Sequence, residues 1–137
     1  RTGCGTQSSF IAFGGANPTE TAMSADTEEW DGTSWTQMGD LVIAVKSMSC
    51  MGHTALGAVA NGGRLQDASS ISTTQIFNGT SIETGVPNSH SAHNNSGNQG
   101  CGTAALGFTA AKYVPASGTE EYVGETTATN YKTITTS

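Results

Sequence analysis

Short apolar runs separated by glycine-rich and polar stretches recur along the 137-residue chain. Phe10 to Phe13 form one run before a glycine pair, and the longest uncharged apolar run, Leu41 to Val45, is only strand-sized. Aromatic and β-branched residues flank short turn sequences, which is the pattern of β-hairpins. The pattern therefore predicts an all-β protein.

One hairpin-like segment, Thr27 to Thr36, recurs in degraded form at Thr74 to Glu83 and at Thr119 to Ala128. Each copy begins with threonine and has an aromatic at its fourth place and a glycine at its sixth. The copies recur with a period of roughly 45 residues, which is typical of propeller-type arrays in which each unit is one blade. We therefore predict three blades, with boundaries at residues 1–40, 41–87 and 88–137.

The turns of the first two hairpins are predicted at Asp31-Gly32 and Asn78-Gly79. Both dipeptides tolerate a positive φ at the two central positions, so we expect two-residue type I′ turns. The third copy has Val123-Gly124 at that place, and its hairpin is expected to be looser. In the first copy, Trp30 and Trp35 are expected to pack across the hairpin and between blades.

Polar stretches of varying length and composition follow the glycine pairs Gly14-Gly15 and Gly62-Gly63, and a third such stretch begins at Ala111. Because these stretches vary while their flanks repeat, they are predicted to be loops that lie on one face of the array. Recognition is expected on that face. The candidate recognition residues are Asn17, Glu20, Gln66, Asp67, Lys112 and Tyr113.

The glycine pair, the acidic-aromatic step Glu29-Trp30 and the nearby Trp35 together resemble the kelch blade, although kelch blades usually separate the two aromatics by one residue more. The sequence AFGG followed by TEEWDGTSW is similar to kelch-like repeats in large structural proteins of marine tailed bacteriophages. The resemblance implies a propeller segment of about three four-stranded antiparallel blades. Its signature positions are Gly14, Gly15, Trp30, Asp31, Gly32, Trp35, Gly62, Gly63, Phe77, Asn78, Gly79, Tyr122 and Gly124.

The charge balance and the apolar runs argue against two classes of partner. Eleven acidic residues against five basic ones give a net charge of −6, whereas binding to a nucleic-acid backbone needs clustered lysine and arginine. Apolar runs fall short of the roughly 18 residues that a membrane helix needs. We therefore expect neither nucleic-acid binding nor a membrane span.

The three cysteines, Cys4, Cys50 and Cys101, occupy similar places in the three units. Equivalent positions on different blades are expected to lie one blade-width apart, beyond the Cα separation of about 7 Å that a disulfide allows. We therefore predict three small buried thiols. Their spacing also fits no zinc pattern.

His90 and His93 have a spacing suggestive of metal binding, but they lie in a serine- and asparagine-rich segment without a nearby third ligand. Some kelch-type propellers are copper oxidases with Tyr, Cys and His ligands. Tyr113, Tyr122 and Tyr131 supply the residue type without a recognisable motif. We expect a loop at the histidines, no cofactor and no enzymatic activity. Activity as a copper oxidase or a glycan hydrolase is the third of three functional hypotheses, after the two that follow.

The first functional hypothesis is a virion structural protein of a phage tail, fibre or capsid appendage, with a scaffolding role and contact to a host-surface glycan or protein. Its partners would be other virion proteins or copies of itself. The second hypothesis is a cellular or secreted kelch-like module for protein interaction or adhesion. Because closed propellers typically have 4–8 blades, we also expect either further blades upstream of Arg1 or self-association.

Overall fold

The computed structural model describes residues 1–19, 21–54, 57–85, 87, 99–102, 106–110, 119–123 and 131–134. For residues 53 and 54 and for the last four of these ranges, it describes only the backbone. The described chain is all-β, as predicted. Its strands are β1 (Thr2–Thr6), β2 (Ser9–Ala16), β3 (Met23–Trp30), β4 (Trp35–Gln37), β5 (Ser49–Thr54), β6 (Gly57–Asn61), β7 (Thr74–Phe77), β8 (Ile82–Gly85), β9 (Gln99–Gly102), β10 (Leu106–Ala110), β11 (Thr119–Val123) and β12 (Tyr131–Ile134).

These strands form three antiparallel four-stranded sheets, each of which runs in chain order. We call β1–β4 the first sheet, β5–β8 the second sheet and β9–β12 the third sheet. Each sheet lies within one of the three ranges predicted from the repeat. Strand β5 contacts both β1 and β9, and the strands described here do not form a closed propeller.

The pairing of second and third strands sets a common register for the three sheets. In each sheet the leading threonine of the repeat pairs with one residue of the second strand: Thr27 with Phe13, Thr74 with Asn61, and Thr119 with Ala110. Equivalent positions in the three sheets can therefore be assigned from backbone pairing. By that register Cys4, Met51 and Cys101 are equivalent. Cys4 pairs with Ile11, Met51 with Val59, and Cys101 with Phe108.

The glycine pairs repeat in backbone conformation as well as in sequence. Gly14 and Gly62 have φ of 48° and 67°, and Gly15 and Gly63 have φ of 120° and 117°. Only glycine adopts such angles without strain. In the first sheet the pair lies within β2 at a register shift after Phe13, so it forms a bulge there and does not end the strand.

The hairpin turns differ from the predicted type I′ geometry. Four residues separate β3 from β4, and among the described non-glycine residues only Ser47 and Ala68 have a positive φ. The Asp31 carboxylate accepts hydrogen bonds at 2.8 Å from the backbone N–H groups of Thr33 and Ser34. The type I′ prediction is therefore wrong, because a side-chain oxygen stabilises a longer turn that needs a positive φ only at Gly32.

Asn78 builds the equivalent turn in the second sheet. Its side-chain oxygen accepts from the N–H groups of Thr80 and Ser81 at 3.2 and 3.1 Å. Gly32 and Gly79 have nearly the same φ, 95° and 99°. An aspartate and an asparagine therefore form the same turn, one with a charge and one without.

The first two sheets share one apolar core, to which the segment between them contributes. We call residues 38–48 the linker. The buried core residues come from both sheets and from the linker: Ile11, Phe13, Leu41, Val45, Met48, Cys50, Ala58, Ala60 and Phe77. Met51 and Val59 form a second buried cluster with Ile76, and strand alternation puts that cluster on the other face of the second sheet.

Backbone hydrogen bonds hold the linker against the first sheet, and a buried glutamine holds it against the second. The N–H of Leu41 donates to the carbonyl of Ala25 at 2.8 Å, and the N–H of Gly15 donates to the carbonyl of Val45 at 3.0 Å. Gln75, only 1% exposed, accepts from the N–H of Ile43 and donates to its carbonyl, at 2.9 and 3.2 Å. The linker is therefore part of the core and not a flexible connection.

A disulfide between Cys4 and Cys50 joins the first two sheets, so the prediction of three thiols is wrong for these two residues. Strands β1 and β5 lie side by side, and the two Cα atoms are 5.9 Å apart. The blade-width argument failed because the first strands of neighbouring sheets lie much closer together than a whole blade is wide. Only the backbone of Cys101 is described.

Trp30 and Trp35 contact each other across the first hairpin, as expected. Trp30 on β3 pairs directly with Trp35 on β4, and their ring centroids are 5.5 Å apart. The expected packing between blades is not seen among the described side chains. Trp35 is 52% exposed, and both tryptophans lie on the side of the first sheet opposite to the side that meets the second sheet. The ring of Phe10 meets Trp35 edge-on at 6.3 Å.

The disulfide should stabilise the chain by closing a long loop. For a sequence separation of 46 residues, the chain-entropy argument gives about 4 kcal/mol. The double variant Cys4→Ala/Cys50→Ala should therefore lose about 2–4 kcal/mol in unfolding free energy, measured by denaturant unfolding. Reducing agent should shift the wild-type midpoint toward that of the variant. An unchanged wild-type midpoint after reduction would show that the two cysteines are not bonded.

The first hairpin should be acid-sensitive. Hydrogen bonds from the backbone N–H groups of Ser34 and Thr33 lower the pKa of Asp31 below its ordinary value. Since the folded pKa lies below the unfolded one, the stabilisation is present above about pH 4 and is lost as pH falls through the folded value.

Asp31→Asn should remove this pH dependence while keeping the turn, since Asn78 already builds it. The converse variant, Asn78→Asp, should add such a dependence in the second sheet. Unfolding midpoints measured between pH 2 and 6 would check both variants. If the unfolding midpoints of the wild type, Asp31→Asn and Asn78→Asp fall equally as the pH is lowered, the role given to Asp31 is contradicted.

Candidate functional site: a cleft between two loops

Two loops follow the glycine pairs of the first and second sheets. We call residues 17–22 the first loop and residues 64–70 the second loop. A β-bridge between Arg64 and Lys46 joins the second loop to the linker, and a bridge between Arg64 and Ser70 closes the loop itself. Both loops therefore leave the sheets from equivalent positions and lie near the same part of the linker.

Asn17 organises the first loop from within. Its side-chain oxygen accepts hydrogen bonds from the N–H groups of Thr21 and Ala22 at 2.8 and 3.2 Å, and its amide donates to the Thr21 hydroxyl at 2.9 Å. Its own N–H donates to the Ala22 carbonyl at 3.1 Å. These contacts give Asn17 a structural role in the loop, and its role in recognition stays a prediction.

Asp67 has a comparable role in the second loop. Its carboxylate accepts from the hydroxyl and the N–H of Ser69, at 2.5 and 2.9 Å. These hydrogen bonds, the one from the hydroxyl most, lower the pKa of Asp67 below its ordinary value. The N–H of Leu65 closes the loop by donating to the Ser69 carbonyl at 2.8 Å, and Ala68 adopts a left-handed φ of 70°.

Gln66 bridges the two loops. Its side-chain amide donates to the backbone carbonyl of Thr21 at 2.6 Å, across a sequence separation of 45 residues. This contact fixes the distance between a loop of the first sheet and a loop of the second. The loops were predicted to share one face, and here these two are in contact.

An open cleft of about 730 Å³ lies between the loops and the linker. Half-buried Met23 and Leu65 give it an apolar floor. The described residues that line it are Thr21, Ala22, Met23, Ala44, Leu65, Gln66 and Asp67. A smaller pocket of about 100 Å³ shares Met23, Leu65 and Gln66 with it and adds Lys46, Arg64 and Ala68.

Charged side chains of both signs surround the cleft. Asp67 places a carboxylate at the rim, while Lys46 and Arg64 place two cations at the smaller pocket. The Arg64 guanidinium is oriented by a hydrogen bond from its Nε to the Ala68 carbonyl at 3.2 Å. Within the described residues there is no group of three or more His, Cys, Asp or Glu side chains that could hold a metal ion.

The structure brings together two of the six candidate recognition residues, Gln66 and Asp67, at this cleft. Glu20, Lys112 and Tyr113 lie outside the described residues, as do Gly124 and the pair His90 and His93. Of the aromatic signature positions, Phe77 is in the core, and Tyr122 lies on β11, where its backbone pairs with Gly107 and Tyr131.

Sequence reasoning missed Met23, Leu65, Lys46 and Arg64 as neighbours of the loops. Lys46 and Arg64 could have been singled out from the sequence, because the acidic chain has only five lysine and arginine residues in all. Their proximity could not be read from the sequence, because it depends on the linker folding back beside the second loop.

Comparisons with known proteins give no family assignment. A scan against protein-family models finds no family that matches the chain. A search of curated proteins likewise finds no match. In the described part of the chain, no helix is long and apolar enough to cross a membrane. The function must therefore be argued from the repeat, the disulfide and the cleft.

Proposed function

We propose that the chain is a kelch-like propeller segment that serves as a structural protein of a phage virion, in a tail, fibre or capsid appendage. The cleft between the first and second loops is its recognition site, and the ligand is an acidic glycan of the host surface. The cleft is the observation that carries the recognition role. The repeat carries the structural role.

Three features support a propeller-type array. The sheets are four-stranded antiparallel meanders of similar length, as propeller blades are. The glycine pairs repeat their φ angles within 20° between the first two sheets. The first two sheets bury their facing sides against each other, as stacked repeats do.

The chemistry of the cleft favours a sugar with an acidic group. Met23 and Leu65 offer an apolar surface for the C–H face of a pyranose ring, and the rim presents an amide and a carboxylate for its hydroxyl groups. Lys46 and Arg64 favour a carboxylate or sulfate substituent.

The disulfide supports a protein that works outside reducing compartments. Disulfides persist on virion and cell surfaces and in secreted proteins, and they are rare in the cytosol. The Cys4–Cys50 bond fits the virion proposal. It equally favours a second candidate function, a secreted or cell-surface kelch-like adhesion module, which would use the same cleft.

The recognition role predicts binding of acidic oligosaccharides that depends on the two cations. Lys46→Gln and Arg64→Gln should each weaken binding roughly tenfold, which corresponds to about 1.4 kcal/mol, and added salt should weaken wild-type binding. The control is Arg1→Gln, which changes the net charge equally but removes a cation paired with Glu28 and Asp26. Isothermal titration against sulfated, carboxylated and neutral oligosaccharides measures the effect.

Binding that is equal for neutral and acidic sugars, or equal losses in the control variant, would overturn the acidic-glycan assignment. Mass spectrometry of purified phage particles separates the two candidate functions. The virion proposal requires stoichiometric amounts of the chain in the particle. Its absence from particles, together with its presence on a cell surface, would favour the adhesion module.

A further inference from the structure

The first sheet has an aromatic face that the second sheet does not cover. Phe10, Trp30 and Trp35 are paired across β2, β3 and β4, and Ala12 and Glu28 lie beside them on the same side by strand alternation. We call these five residues the outer face. The opposite side of the sheet carries Ile11 and Phe13, which belong to the shared core.

The equivalent residues of the second sheet form the side that packs against the first sheet. Backbone register relates Phe10, Ala12, Glu28, Trp30 and Trp35 of the outer face to Ala58, Ala60, Gln75, Phe77 and Ile82 respectively. Ala58, Ala60 and Phe77 are core residues and Ile82 packs against that core, while Gln75 holds the linker. The repeat therefore uses this side of a sheet as a sheet-to-sheet interface.

Ala12 is buried, but exposure shows that the two tryptophans of the outer face lack such a cover among the described side chains. Phe77 is 1% exposed, whereas its equivalent Trp30 is only half-buried. Trp35 is 52% exposed, whereas its equivalent Ile82 packs against the core. An aromatic side chain can bury roughly 150–250 Å², and three of them cluster on this face. Their exposed surface is therefore available for contact with another sheet.

We propose that the outer face of the first sheet binds the third sheet of a second copy of this chain. The second sheet receives the side of the first sheet on which Ile11 and Phe13 lie. In the third sheet, Phe108 and Ala110 occupy the register positions of those two residues. Ala110 of the third sheet stands at the position of Phe13, and Trp30 of the outer face stands at the position of Phe77. The smaller residue on one side is complementary in size to the larger tryptophan on the other.

The contact is head-to-tail, because it joins the outer face of one copy to a different surface of the next. Such contacts form rings when the rotation closes and filaments when it does not. The inference rests on the repeat and on the observed interface between the first two sheets. It does not depend on the glycan-binding role, so the failure of either leaves the other testable.

Sedimentation equilibrium of the intact chain from about 1 to 500 µM tests the proposal, since interfaces of this kind give affinities anywhere from micromolar to picomolar. The mass should rise above the 13.9 kDa of a single chain. Trp35→Lys should weaken association at least tenfold. Val42→Lys is the matched control, because Val42 is 56% exposed but belongs to the linker, outside the outer face, and it should associate like the wild type.

Tryptophan emission supplies an independent readout, because both tryptophans of the chain lie on the outer face. Emission should shift to shorter wavelength as the protein associates. Trp35→Gln serves as a second variant should Trp35→Lys fail to fold, and circular dichroism checks folding. A chain that stays at 13.9 kDa throughout, or one that associates equally well with and without Trp35, would overturn the proposal.

Discussion

The apolar core shared by the first two sheets is the interaction on which the rest of the described structure depends. Each of these sheets buries one side against the other sheet and against the linker. The Cys4–Cys50 bond and the paired hydrogen bonds of Gln75 to Ile43 hold the same three parts together. The cleft exists because this packing fixes the first and second loops next to each other.

Glycine is the second constraint, and it acts where the linker passes close to the sheets. A Cβ on Gly14 would lie 2.5 Å from the carbonyl oxygen of Val45, and one on Gly63 would lie 3.0 Å from that of Lys46. The glycine pairs thus allow the linker to approach both sheets. They also direct the chain into the first and second loops, so the same residues serve the core and the candidate site.

The repeat made much of the fold predictable from sequence, including the all-β class, the positions of the first two hairpins and the two loops that line the cleft. The turn type was missed because Asp31 and Asn78 stabilise a longer turn with their side chains, a choice that the dipeptide alone does not reveal. The disulfide was missed because its geometry depends on how closely β1 and β5 approach. The part that Asn17 plays in holding its own loop was also missed, because a loop asparagine does not reveal its partners in the sequence.

The central claim is that the first two sheets fold as one unit through their shared core. Both tryptophans lie in the first sheet, so tryptophan fluorescence reports its unfolding alone, while Phe77 lies in the second sheet. Phe77→Ala should lower the unfolding free energy seen by fluorescence by about 3–5 kcal/mol, because it empties part of a core that the first sheet shares. If the fluorescence midpoint in denaturant stays at the wild-type value, the sheets are independent and the account is contradicted.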